Sequence, residues 1–94
     1  MLTIYKIENK QNGRIYIGST KKDPKVRWSH HISELNLGEH RNFKLQEDFN
    51  LHGLESFIFE VICKCYLRER AFMETKLISE LDAYYNIRLN KKEN

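Results

Sequence analysis

Glu74 stands where a helix should be apolar. Leu67, Ala71, Leu77, Ile78 and Leu81 recur at the spacing of one helical face, and at about 100° per residue Glu74 falls in the middle of that face. A carboxylate among aliphatic side chains is desolvated unless it is paired or bound to a cation. It can pair with Arg70, four residues earlier, or it can serve as a metal ligand or catalytic acid held by a rigid helix. Arg27 and His31 are one helical turn apart beside Trp28. Such a pair can be an exposed couple at a core edge. It can also be a guanidinium that meets a phosphate in a fork, with an imidazole to carry a proton. Tyr5 and Tyr16 are aromatics of the kind strands favour, and two phenols on one side of a hairpin can supply proton-transfer or orienting hydroxyls. Gly18 ends the second strand where a side chain would block a close approach, or it is simply a bend. His30 reads as solvated, and His40 as a loop residue before a helix. Cys63 and Cys65 could join His30 or His31 at zinc, but their C-x-C spacing is not the usual C-x₂-C.

These side chains need elements to hold them. Leu2 to Glu8 alternates as a strand, Asn12-Gly13 is a hairpin signal, and Arg14 to Gly18 is the return strand. With Asn12 and Gly13 as a two-residue loop, residue 7 faces 18. Tyr5 and Tyr16 then share one side of the sheet while Ile4, Ile15 and Ile17 share the other. The two phenols would be four positions apart, ~13 Å along the strand. Asp23-Pro24 starts a helix that Gly38 stops, with Trp28, Ile32 and Leu35 toward the core. A second helix fits Phe43 to Leu51 with Gly53 as its cap, a strand fits Ser56 to Cys63, and a third helix fits Leu67 to about Asp82. The tail from Ala83 to Asn94 is expected to end frayed. The order ββααβα is an α+β fold, a small three-stranded antiparallel sheet flanked by helices, in a single domain over residues 1–94.

Composition agrees. The chain of 94 residues is 40% hydrophobic and 31% charged, so it reads as neither disordered nor membrane-spanning. The N-terminus has no apolar signal-peptide core, and two cysteines one residue apart are a poor disulfide framework, so a reducing cytoplasm is expected. Residues 1–47 hold nine Lys/Arg against five Asp/Glu, and residues 48–94 hold seven against eight, which together make the net +3. A polyanion would sit on the front half.

The arrangement resembles the GIY-YIG nuclease family. Its first signature stands here as Thr3-Ile4-Tyr5 and its second as Tyr16-Ile17-Gly18, with ten residues between the tyrosines. Thr3 takes the place of the motif's first glycine. Val26-Arg27-Trp28 with His31 is similar to the family's helical arginine and the histidine after it. Glu74 matches its metal-binding glutamate, and Tyr85-Asn86-Ile87 its terminal asparagine motif. Lys44-Leu45-Gln46, Phe49-Asn50 and His52-Gly53 resemble the helical segment of phage- and intron-encoded members.

The resemblance implies a divalent-metal-dependent endonuclease that hydrolyses phosphodiester bonds of double-stranded DNA. It implies Mg²⁺ or Mn²⁺ on Glu74, Arg27 against the transition-state charge, Tyr5 as general base, Tyr16 orienting water or phosphate, and His31 relaying a proton. Gly18, His40 and Asn86 join these as binding positions, with Asn86 tying the tail to the site. Two other readings share the basic front half: a module that binds nucleic acid without cutting, and a structure-selective repair nuclease acting with partners. Family members usually choose their sites through a second DNA-binding region, so this chain is expected to be part of something larger, to form a homodimer, or to nick with little specificity.

Overall fold

β1 (Leu2–Asn9) is the middle strand of an antiparallel sheet of order β2-β1-β3, with β2 (Ile15–Thr20) and β3 (Phe57–Cys65) at its edges. This is a computed structural model and describes residues 1–87; the part of the tail expected to fray beyond Ile87 lies outside the described residues. The hairpin differs from the two-residue loop expected. Asn9 N–H donates to the Arg14 carbonyl at 2.8 Å, and Gly13 N–H to the Asn9 carbonyl at 2.7 Å, so the loop is Lys10 to Gly13. The cause is Asn9, whose buried side chain accepts from Gln11 N–H and donates to the Tyr85 hydroxyl. This starts the turn early. Tyr5 therefore faces Gly18, and Ile7 faces Tyr16. The slip is an even number of residues, so the phenols keep a common side, two positions apart, about 7 Å.

α1 (Pro24–Leu37) begins at an Asp23 cap that accepts from Lys25 N–H and ends at Gly38, whose φ of 73° suits glycine. α2 (Phe43–His52) is capped by Asn42, which accepts from Leu45 N–H. α3 (Arg70–Glu80) is shorter than expected, because Leu67–Glu69 forms a 3₁₀ turn ahead of it. α4 (Tyr84–Ile87) is one further short helix. The α+β architecture in the order ββααβα is therefore present, with α4 appended.

One face of the sheet carries Tyr5, Ile7 and Phe57 against Leu35 of α1, Leu45 of α2 and Tyr85 of α4. The other carries Leu2, Ile4, Ile15 and Ile17 against Met73, Leu77 and Ile78 of α3. A bulge on β3, between the partners of Ile4 and Tyr5, breaks the in-and-out alternation of a regular strand. It turns Cys63 and Cys65 onto the α3 side.

Two apolar stripes also differ from the reading of their helices. On α1 the buried residues are His31 and Leu35, while Trp28 and Ile32 are half-buried. The face is rotated because the His31 ring finds polar partners inside. Leu67 and Leu81, which flank α3, and Ala71 on it are exposed, and the packing face of α3 is Met73, Leu77 and Ile78, with Glu74 half-buried among them. Among the described residues no helix is long and apolar enough to cross a membrane.

Candidate active site

Tyr5 crosses the sheet directly over Gly18. A Cβ at Gly18 would stand 2.5 Å from the Tyr5 hydroxyl and 2.9 Å from Cε2 of Tyr16. Glycine is required there for contact, and its place is inside β2 opposite Tyr5, not at the strand's end. The Tyr5 ring is edge-on to Trp28 and to His31, and Tyr16 is also edge-on to His31.

A chain of hydrogen bonds runs inward from the Tyr5 hydroxyl. His31 Nε2 is 2.7 Å from Tyr5 Oη, His31 Nδ1 is 2.8 Å from His40 Nε2, and Asn42 N–H donates to His40 Nδ1 at 3.1 Å. The last bond fixes all the others. A backbone N–H can only donate, so His40 Nδ1 presents its lone pair and the neutral ring carries its proton on Nε2. That proton goes to His31 Nδ1. His31 in turn carries its proton on Nε2 and donates to Tyr5. Burial, with Arg27 and His40 adding to it, pushes the His31 pKa down to about 3, so the ring stays neutral and the direction holds. His40 is lowered as well, chiefly by burial.

Both phenols are harder to ionise than a free tyrosine. Burial is the largest cause for each; the Glu74 carboxylate raises both, and the Arg27 guanidinium lowers both. Tyr5 and Tyr16, from β1 and β2, thus both feel the charges of Arg27 on α1 and Glu74 on α3, with His31 of α1 against both rings. Arg27, Tyr16, Glu34 and His40 line a cavity of about 190 Å³.

Asn86 lies apart from these side chains and acts on the backbone. Its Oδ1 accepts from Ile17 N–H at 2.7 Å and its Nδ2 donates to the Ile17 carbonyl at 2.9 Å, as a neighbouring strand would. It closes the open edge of β2 between Tyr16 and Gly18 and ties α4 to the site.

Two carboxylate arrangements bear on metal. Glu74 forms no hydrogen bond or ion pair among the described residues, and the pairing with Arg70 considered from the sequence is absent there. A half-buried carboxylate with no hydrogen-bond or ion-pair partner among the described residues is a hard oxygen donor that fits Mg²⁺ or Mn²⁺ completed by water and phosphate. His31, Glu34 and His40 also place three ligand atoms within 4.8 Å of one another. His40 fits a metal poorly there. A ligating histidine normally donates from its other nitrogen, whereas the other nitrogen of His40 already accepts from Asn42 N–H. The cluster is better suited to passing a hydrogen-bond direction. Among the described residues Cys63 and Cys65 join no cluster of three candidate ligands, so the zinc site weighed from the sequence is not formed.

The sequence reading missed Glu34, Asn42 and Gln46. Gln46 accepts from His40 N–H and donates to the Leu35 carbonyl, which holds His40 in place. Glu34, one turn after His31 on α1, was visible as a helical neighbour. Asn42 acts through its main chain, where no residue type can signal the role.

The fold and this site define a GIY-YIG catalytic domain. The sequence model of that domain matches residues 1–88, and the chain belongs to the family. It is 38% identical over 91 residues to Intron-associated endonuclease 1 of Enterobacteria phage T4, a match covering 97% of this chain and 34% of that protein. The chain therefore spans about a third of that relative's length. Among solved structures it is similar to the catalytic domain of the homing endonuclease I-TevI, with a TM-score of 0.79 and 32% identity over 87% of this chain and 89% of that one. It is similar also to a glutamate-to-alanine variant of that domain, with a TM-score of 0.78 and 32% identity over 92% and 90% of the two chains.

Proposed function

We propose that the chain is the catalytic domain of a divalent-metal-dependent endonuclease that hydrolyses phosphodiester bonds of double-stranded DNA. The observation that carries this reading is the cluster built over Gly18: Tyr5 is hydrogen-bonded to His31, Tyr16 packs on the same imidazole, and Tyr16 shares a cavity with Arg27. Hydrolysis forms a bond from a water oxygen to phosphorus and breaks the bond to the leaving oxygen, with negative charge building on the phosphoryl oxygens. Arg27 is placed to meet that charge with a planar fork of donors. Tyr5 first loses its proton to solvent and, as phenolate, takes the proton of the attacking water, while the leaving oxygen takes a proton from solvent. The Nε2 proton of His31 holds the phenolate oxygen, which favours the charged form against burial. Tyr16, half-buried at the cavity, orients water or phosphate.

Glu74 would hold Mg²⁺ or Mn²⁺, which supplies Lewis acidity at a phosphoryl oxygen and at the leaving group when bound. His31 does not change charge near neutral pH. Its role is to donate and to orient, which refines the proton relay expected from the sequence.

The test is incubation of the purified chain with supercoiled plasmid and Mg²⁺. Nicking that stops in excess EDTA is expected. Tight plasmid binding without any nicking, in Mg²⁺ or Mn²⁺, would instead favour a binding module that keeps the fold.

A further inference from the structure

Arg27 lines two cavities at once. One is the cleft it shares with Tyr16 and His40. The other, of about 380 Å³, opens between the end of β2, α1 and the start of α3, and Lys21, Lys22, Arg27 and Arg70 supply its charge. Among the described residues no carboxylate lines it. Among the described residues none of these four cations is in an ion pair.

The contrast with the other cations of the front half is informative. Three of those outside the cavity are paired, Lys6 with Glu8 and Glu60, Arg14 with Asp48, and Lys44 with Glu47. Lys21, Lys22 and Arg27 thus stand together in one concavity with no ion pair among the described residues, whereas the unpaired Lys10 and Lys25 lie outside it. Four like charges around one concavity repel one another, and a polyanion relieves that repulsion. Leu2 and Lys21 carry the concavity on into a third cavity, of about 230 Å³, which ends at the exposed ring of Tyr66.

We propose that this trough is the path of the DNA strand on one side of the phosphate that is cut. Arg27, at the wall between the two cavities, meets the scissile phosphate. Lys21, Lys22 and Arg70 take successive phosphates beyond it. Contacts of this kind set register and orientation and carry no base information, so the grip is indifferent to sequence. The inference rests on the nuclease reading above and adds the route of the substrate.

The experiment compares two double variants of equal charge change. Lys21→Gln with Lys22→Gln empties the groove of lysine. Lys10→Gln with Lys44→Gln removes two lysines elsewhere, Lys10 in the hairpin turn at the far end of the sheet. Binding of a labelled duplex of mixed sequence is measured in EDTA by anisotropy across a range of salt, with thermal melting of each variant to verify folding.

The groove variant is expected to lower the slope of log K against log salt by about 1.8, two phosphate contacts at ~0.9 each, and the other variant to leave it unchanged. Arg70→Gln alone is expected to lower it by about half as much. Equal effects of the two double variants, or no effect of either, would overturn the groove while plasmid nicking left the nuclease reading standing. A position-specific loss of slope in a protein that never nicks would overturn the nuclease reading and leave the phosphate groove in place.

Discussion

His31 donates its Nε2 proton to the Tyr5 hydroxyl at 2.7 Å, and the Asn42 main chain, two hydrogen bonds away, is what gives that bond its direction. The arrangement aims a permanent donor at the oxygen proposed to become a base. Tyr5→Phe removes that acceptor and leaves the His31 N–H buried without a partner. We expect the variant to lose about 1–3 kcal/mol of stability and about 100- to 10,000-fold in single-turnover cleavage, with duplex affinity retained. If Tyr16→Phe were inactive and Tyr5→Phe active, the two phenols would exchange roles.

The lowered pKa of His31 has a consequence for stability. In the unfolded chain His31 gains a proton below its ordinary value of 6.5, whereas in the fold it does so only near 3. Between those values the unfolded state binds more protons, so stability is full above pH 6.5 and falls as pH drops below it. The loss is at most about 1.4 kcal/mol per pH unit for one such group. His31→Gln should therefore show a flatter melting temperature between pH 6.5 and 4 than the parent. Parallel curves would mean that His31 titrates normally in the fold.

Gly18→Ala tests the contact between strand and phenol. The added methyl would lie 2.5 Å from Tyr5 Oη and 2.6 Å from its Cζ, so the ring must move off His31. Overpacking of this kind costs about 1–3 kcal/mol, and we expect cleavage to fall well beyond what the melting curve accounts for. Gly13→Ala is the comparison. Its Cβ meets nothing within 4 Å, though φ is 74°, so it should lose stability by about 1–2 kcal/mol and keep its cleavage rate. Equal cleavage losses in the two variants would remove the special role of Gly18.

Asn86→Asp keeps the acceptor for Ile17 N–H and sets a carboxylate against the Ile17 carbonyl where a donor stood. A loss of about 1–3 kcal/mol is expected, on the scale of an unsatisfied buried group, together with slower cleavage, because Tyr16 and Gly18 flank Ile17. Melting and single-turnover cleavage check this. A variant as stable as the parent would show that the edge of β2 does not need its cap.

Features that depend on a few neighbouring residues were legible in the sequence. Asp23-Pro24, Gly38 and Gly53 set the helix ends through local geometry, and the parity of the hairpin put Tyr5 and Tyr16 on one side. The loop length was not legible, because Asn9 spends its side chain on Tyr85, 76 residues away. The spacing of Arg27 and His31 was plain, yet the burial of His31 comes from partners on β1 and before α2. His40 looked like a loop residue for the same reason. Glu74 was legible because it breaks an apolar pattern, although the stripe around it is narrower than the sequence implied.

Glu74→Gln is the most direct test of the central claim, that this carboxylate is held for a divalent cation in phosphodiester cleavage. The change keeps the side chain's size, and no hydrogen bond or ion pair is lost with it among the described residues. Plasmid nicking and calorimetric melting are measured for parent and variant with and without Mg²⁺. The account predicts a variant that does not nick and melts within about 0.5 kcal/mol of the parent in EDTA. It also predicts that Mg²⁺ raises the melting temperature of the parent alone, since a ligand stabilises only the state that binds it. A variant that nicks at the parent's rate, or that is clearly destabilised in EDTA and still responds to Mg²⁺, would contradict it.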